Sequence, residues 1–182
     1  MTTIDLDTGP LFDIHADVRI AAPPAAVYAR VSDLPGCGRW STECTGGEWV
    51  RGTPGTVGAV FRGTNHRDPD VVSWAPVVRG SWTTDAEIVA AEPGVAFRWA
   101  IRAKDGRAQQ SVWGFDLAAD GDGTRVTHHF RMGAATEGIR GIVRDMDGDE
   151  RERFFAEWGA KVHADVVATL DRIKALIEDA AD

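Results

Sequence analysis

The chain opens, from Phe12 to Ile20, by alternating Ile14, Ala16, Val18 and Ile20 with His15, Asp17 and Arg19. That period of two predicts a strand with one buried face. Pro23 and Pro24 then suit the first turn of a helix, where a missing N–H costs nothing, and Val27 and Val31 share a face at i, i+4. This short helix is expected to stop near Asp33-Leu34-Pro35-Gly36, opening a loop that contains Cys37, Trp40 and Cys44. From about Glu48 to residue 133 the pattern is that of strands. Pro93-Gly94, Asp105-Gly106 and Asp122-Gly123 mark tight turns. Between them run Trp82-Thr84-Ala86-Ile88, Phe97-Trp99-Ile101, Ser111-Trp113-Phe115-Leu117 and Val126-His128-Phe130-Met132, each set interleaved with small or polar residues. The expectation is an antiparallel meander with one apolar face. Upstream, Val57 to Gly63 predicts a further strand, and Gly46 to Val50 is a candidate for another. The stretch 66–80, with Pro69 and Pro76, reads either as a long connection or as an extra hairpin.

The last element predicted is a long helix over about 149–178. Asp149 followed by Glu152 reads as an acidic variant of the capping box. Phe155, Trp158, Val162, Val166, Thr169 or Leu170, Ile173 and Ile177 form its apolar stripe. At 1.5 Å per residue such a helix is about 45 Å long, enough to lie across most of the sheet. The expected class is α+β, a curved antiparallel sheet wrapped around this helix. No repeat or linker appears, so one domain over 1–182 is expected, with a tail over about 1–11.

This order of elements resembles the START-like or SRPBCC superfamily. Ile20-Ala21-Ala22-Pro23 with Val27 and Asp33, Phe61-Arg62-Gly63-Thr64-Asn65, Trp82-Thr83-Thr84, Glu92-Pro93-Gly94 and Gly123-Thr124-Arg125-Val126-Thr127 are similar to its polyketide cyclase/dehydrase branch. The resemblance covers nearly the whole chain and implies a helix-grip fold with an internal cavity between sheet and final helix. Its motifs are mainly turns and scaffold positions, and the superfamily spans aromatase/cyclases, lipid and sterol carriers, hormone receptors, oxygenase domains and co-chaperones. An oxygenase is disfavoured, because the chain has no Cys/His cluster for an iron–sulfur centre and no clear two-His-one-carboxylate set. A dry apolar void of about 300 Å³ would cost roughly 7 kcal/mol, comparable with the stability of a domain, so an internal cavity of that size implies a bound molecule or water.

Composition narrows the partners. A net charge of −8 with scattered Lys and Arg argues against nucleic acid. No apolar run approaches the ~20 residues that span a bilayer, so no membrane insertion is expected. The opening MTTIDLDTGP carries acids where a signal peptide carries bases, which makes the cytoplasm the expected location. Cys37 and Cys44 lack C-x-x-C spacing and read as two reduced thiols. Asp145, Asp147 and Asp149 imitate a calcium loop, but Glu150 and Ala156 stand where that loop needs Gly and Glu, so no metal and no cofactor are expected. Seven tryptophans against one tyrosine suit either a Trp-rich core or an aromatic-lined pocket.

The candidate catalytic residue is His128, which the alternation turns inward; an imidazole with its pKa near working pH suits enolisation and dehydration. A core histidine bonded to a neighbour is the competing reading. Asn65, inward with Phe61 and Gly63, is a candidate to orient a ligand carbonyl, or else a strand-end cap. Thr84 and Ser111 are candidate donors. Trp82, Trp99, Trp113 and Trp158 are candidates for an aromatic wall, with Phe130, Phe155 and Val162 completing the lining; core packing is the alternative for each. The expected partner is a small hydrophobic or aromatic molecule. Two functions follow from the resemblance: a cofactor-independent cyclase, aromatase or dehydratase, or a non-catalytic carrier or sensor of a lipid or other hydrophobic ligand. A protein-interaction role would require an exposed apolar surface that the sequence does not locate, and nothing in it speaks to oligomeric state.

Overall fold

In the computed structural model, which describes residues 4–180, the first alternation forms β1 (Phe12–Ile20), and Pro24 opens α1 (Pro24–Val31) as its fixed φ favours. A single 3-10 turn (Cys37–Arg39) leads to β2 (Cys44–Arg51) and β3 (Val60–Arg67). The meander follows as β4 (Gly80–Glu92), β5 (Ala96–Arg102), β6 (Ala108–Asp120) and β7 (Gly123–Met132), and then α2 (Glu137–Val143) and α3 (Gly148–Glu178). The seven strands form one antiparallel sheet in the order β1-β7-β6-β5-β4-β3-β2. Residues 1–3 of the expected tail, and with them the first residues of the sequence opening, lie outside the described residues.

The 31-residue α3 packs mainly on β1 and β7 rather than evenly across the sheet. Two apolar clusters result. Toward the C-terminal end of α3, Ile20, Val27, Val31, Trp40, Phe61, Ile88, Phe97, Phe115, Leu170 and Ile173 are buried together. Toward its N-terminal end, Phe12, Phe130, Met132, Ile139, Val143, Phe154, Phe155, Trp158 and Val162 form the second cluster. Burying a side chain of this size stabilises by roughly 1.5–3 kcal/mol, so the stripe of α3 is what fastens the helix into the sheet.

Three local expectations are corrected. The capping box of α3 is built by Asp147 and Glu150, not Asp149 and Glu152: the Asp147 carboxylate accepts from the Glu150 N–H at 2.9 Å, and the Glu150 carboxylate accepts from the Asp147 N–H at 3.1 Å. The same acid-x-x-acid spacing occurs two residues apart, and only the backbone decides between them. β3 begins at Val60 and runs on to Arg67, where the sequence pattern placed a strand from Val57 to Gly63 and ended its extension at Asn65. The connection is therefore 68–79, and it is not a hairpin. Arg79 gathers it, donating from Nε to the Pro69 carbonyl and from Nη2 to those of Val72 and Ala75 at 2.8 and 2.9 Å. Helix α2 had no expectation attached to it. Its seven residues include Gly138 and Gly141 and are too few to show a helical period, yet Ile139 and Val143 are buried and Thr136 caps it by accepting from the Ile139 N–H.

Candidate functional site

Along the concave face of β3 to β6, several side chains keep contact with solvent. Asn65, Trp82, Thr84, Trp99, Ile101 and Trp113 all point inward, yet each is only half-buried. A side chain on the face that meets α3 can stay wet only where the helix does not cover it. α3 has its main contacts with β1 and β7, and Trp158 of the helix reaches this part of the face through Arg67.

Arg67 stands at the end of this row of half-buried side chains. It follows Asn65 by two residues on β3, so it shares the inward face. Its guanidinium lies 4.5 Å from the ring centroid of Trp82 and 4.9 Å from that of Trp158, so two of the expected tryptophans grip one cation between sheet and helix. Nε donates to Glu43 Oε1 at 2.6 Å, Nη2 to Glu43 Oε2 at 2.9 Å, and Nη1 to the Val78 carbonyl at 2.7 Å. A guanidinium carries five N–H groups, and the other two have no acceptor among the described residues. Only 9% of the side chain is exposed.

The Glu43 carboxylate also pairs with Lys161 of α3, whose ammonium lies 2.5 Å from Asp165 and 5.3 Å from the Trp158 ring. Burial by itself would raise the pKa of Glu43; the hydrogen bonds and charges of Arg67 and Lys161 outweigh it and hold the group below its ordinary value. Glu43, Arg67, Lys161 and Asp165 thus tie the loop before β2, the end of β3 and the middle of α3 into one half-buried charge network. Beside it, Asn65 Nδ2 donates to Thr84 Oγ1 at 3.1 Å, which joins two of the expected polar residues across the β3–β4 ladder.

His128 faces inward beside Val126 and Phe130 and is 3% exposed. Nδ1 donates to the Gly114 carbonyl at 2.8 Å, which leaves the lone pair on Nε2. The ring stacks on Phe115 at 4.2 Å between centroids and lies 5.9 Å from Trp113. Burial lowers its pKa to about 4, with the Gly114 bond opposing and His129 adding to the shift. At neutral pH the imidazole is uncharged and has no second proton to give.

The remaining expected residues divide. Trp99 and Trp113 stand opposite each other in the β5–β6 ladder; Trp113 packs on Phe130 at 4.3 Å and Trp99 on Phe97 and Phe115 at 6.1 and 6.0 Å, and His128, between Phe115 and Trp113, links the two groups of rings. Ser111 is buried on β6 opposite Met132, and Phe155 and Val162 are core residues of the second cluster. Two open surface grooves, of about 440 and 280 Å³, lie elsewhere: one between Arg39 and the end of α3, the other between Ala29, Trp49 and Pro54; neither is lined by an expected site residue. Sequence reasoning missed Arg67, Glu43, Lys161 and Asp165. The available signal was an arginine in phase with Phe61, Gly63 and Asn65, a charge on an inward face.

The seven-stranded antiparallel sheet and the long C-terminal helix packed on it define an α+β protein of the helix-grip type. The family model for "Polyketide cyclase / dehydrase and lipid transport" matches residues 12–178, and the chain belongs to that family. Among solved structures it is similar to the Polyketide_cyc-like protein Cgl2372 from Corynebacterium glutamicum, at 24% identity and a TM-score of 0.65, covering 96% of this chain and 95% of that one. It is also similar to the Zhui aromatase/cyclase from Streptomyces sp. R1128, at 15% identity and a TM-score of 0.61, covering 94% and 96%. The di-domain ARO/CYC BexL of the BE-7585A biosynthetic pathway matches at 20% identity and a TM-score of 0.64 over 93% of this chain, which spans 51% of BexL. These identities speak for the shared fold. A search of curated proteins gives no match. Among the described residues, no helix is long and apolar enough to cross a membrane.

Proposed function

We propose that the inward face beside Arg67 binds a small, planar, largely apolar molecule bearing a carbonyl or enolate oxygen, and that the protein acts on it as a cofactor-independent cyclase, aromatase or dehydratase. The observation that carries this reading is Arg67, clamped between Trp82 and Trp158 with two N–H groups free. Trp82, Trp99 and Trp113 supply flat apolar surface, while the guanidinium supplies a fixed positive charge for an oxygen that becomes negative when a β-dicarbonyl enolises. Asn65 and Thr84 add neutral polar contacts next to it. In this reading His128 acts through its Nε2 lone pair as an acceptor or weak base, since its buried ring stays neutral.

The second reading, a carrier or sensor of a hydrophobic ligand, is favoured by the same histidine and by the carboxylates. Glu43 and Asp165 are both held in ion pairs, which leaves no free acid–base couple beside Arg67. The test has two parts. Tryptophan fluorescence titrated with 2-naphthol should show saturable binding that weakens at least about tenfold in Arg67→Lys, because lysine keeps the charge but lacks the planar fork; equal affinity in the variant removes Arg67 from the site. Incubation with a linear aryl β-polyketone then separates the readings, with water loss and a new aromatic absorbance marking the enzyme and unchanged recovery marking the carrier.

A further inference from the structure

We infer that Cys37 and Cys44 are a reversible dithiol–disulfide site whose oxidant is a hydroperoxide. Both cysteines are free, and they lie at the two ends of a short loop: Cys37 opens the 3-10 turn and Cys44 opens β2. Their Sγ atoms are 2.9 Å apart. A covalent S–S bond is roughly 2.05 Å long, so closure needs a shift of about 1 Å, within reach of two side-chain rotations. The fold makes room for this contact. A Cβ on Gly63 of β3 would come to 3.3 Å from Cys44 Sγ, so a larger residue there would crowd the sulfur.

The two thiols are not equivalent. Cys37 is buried, whereas Cys44 is half-buried, which makes Cys44 the more accessible of the two residues. The Cys37 S–H donates to Cys44, and that hydrogen bond holds the Cys44 thiol below its ordinary value while pushing Cys37 above it. The contact therefore favours Cys44 over Cys37 as the sulfur that gives up its proton, and the thiolate is the nucleophilic form. No cluster of three metal-ligating side chains occurs among the described residues, so the pair has no further ligand with which to hold a metal.

The chemistry balances with one hydroperoxide. The Cys44 thiolate attacks the terminal peroxide oxygen, the O–O bond breaks, and the leaving alkoxide or hydroxide takes a proton, leaving Cys44 as a sulfenic acid. Cys37 then attacks Cys44 Sγ, the S–S bond forms, and the sulfenic oxygen departs as water with the Cys37 proton. Two thiols are oxidised, and the peroxide is reduced to alcohol and water. This inference does not depend on what binds beside Arg67.

The experiment treats the reduced full chain with hydrogen peroxide near neutral pH, then unfolds and alkylates it and records the intact mass. The expected result is loss of the two thiol hydrogens, no alkylation, a single crosslinked peptide joining Cys37 to Cys44, a monomer on a non-reducing gel, and recovery of both thiols with dithiothreitol. Cys37→Ser should accumulate a dimedone-reactive sulfenic acid on Cys44. Two alkylated thiols after treatment, sulfinic acid on Cys44 without a crosslink, or a disulfide between two chains would each overturn the inference. Oxidation of Cys37 in Cys44→Ser as fast as the wild-type reaction would overturn the assigned order of attack.

Discussion

Replacing His128 with Gln tests the chemistry assigned to the sheet interior. The unfolded chain carries this histidine at its ordinary value of 6.5, and the folded chain holds it at about 4, because burial against Phe115 and Trp113 disfavours the charged ring. A pKa lowered on folding means that the unfolded state takes up a proton first, so stability is present above pH 6.5 and is lost as pH falls toward 4. Between pH 7 and pH 4 the loss is about 3 kcal/mol, from a shift of roughly two and a half units at 1.36 kcal/mol each, less the part still untitrated at pH 4. Glutamine cannot titrate but can still donate to the Gly114 carbonyl. Urea unfolding followed by tryptophan fluorescence, at half-unit steps from pH 7.5 to about 4, gives the two profiles. The wild type should lose about 3 kcal/mol more than His128→Gln over that range, and carboxylates titrating in the same window cancel in the difference. Parallel profiles would refute the reasoning: His128 would then titrate as a solvated group and could be a proton donor at neutral pH.

Glu43→Gln should destabilise by about 3 kcal/mol, because it leaves Arg67 and Lys161 facing each other half-buried, and a urea titration at neutral pH reads it. In the wild type the folded pKa of Glu43 lies below its ordinary 4.5, so the contribution of its ion pairs is complete above pH 4.5 and falls away as pH drops through the folded value; the variant should lack that component. Asp147→Ala should cost about 1 kcal/mol through loss of the cap of α3, with Asp149→Ala costing less than half as much by thermal unfolding; equal losses would return the cap to Asp149. Trp74→Phe removes the 2.7 Å bond to Glu157 and thins the ring under Arg153, so cleavage within 68–79 under limited proteolysis should speed up severalfold while global stability falls by only about 1 kcal/mol.

The strands of the meander were legible because one face is buried and the period of two survives in every strand from Trp82 to Met132. β1 was read to the residue for the same reason. The end of β3 was not, since His66 and Arg67 carry no apolar signal, and the reading treated polarity as the end of the strand. In the structure Arg67 keeps the alternation, and the apolar role on its face is filled by the rings of Trp82 and Trp158. The four tryptophans were rightly placed on inward faces, but their partners depend on strands and a helix far apart in sequence. Trp82 and Trp158 meet through an arginine, whereas Trp99 and Trp113 face each other across β5 and β6 and are joined to Phe130 and Phe97 through Phe115 and His128. Cys37 and Cys44 were read as reduced thiols, and their Sγ contact depends on the path of the 38–43 loop, which has no pattern of its own.

The charge network around Arg67 limits the chemistry available beside it. A half-buried ion cluster is seldom better for stability than apolar side chains of the same size, because desolvation offsets most of the attraction. Its distinctive contribution here is a guanidinium whose carbon lies 4.5 and 4.9 Å from two indole centroids and whose edge is held by Glu43, with two N–H groups that have no acceptor among the described residues. Such a group can stabilise a developing enolate without moving, but it cannot donate a proton at neutral pH, and neither can a histidine whose pKa lies near 4. The proposed reaction must therefore draw its protons from the guest itself or from water. β-Dicarbonyl compounds, whose central C–H is acidic, meet that requirement, whereas isolated ketones do not. A guest series graded by C–H acidity and read by turnover in the wild type and in Arg67→Lys would test this: rate should rise with guest acidity in the wild type, and Arg67→Lys should lose most on the guests that enolise most readily.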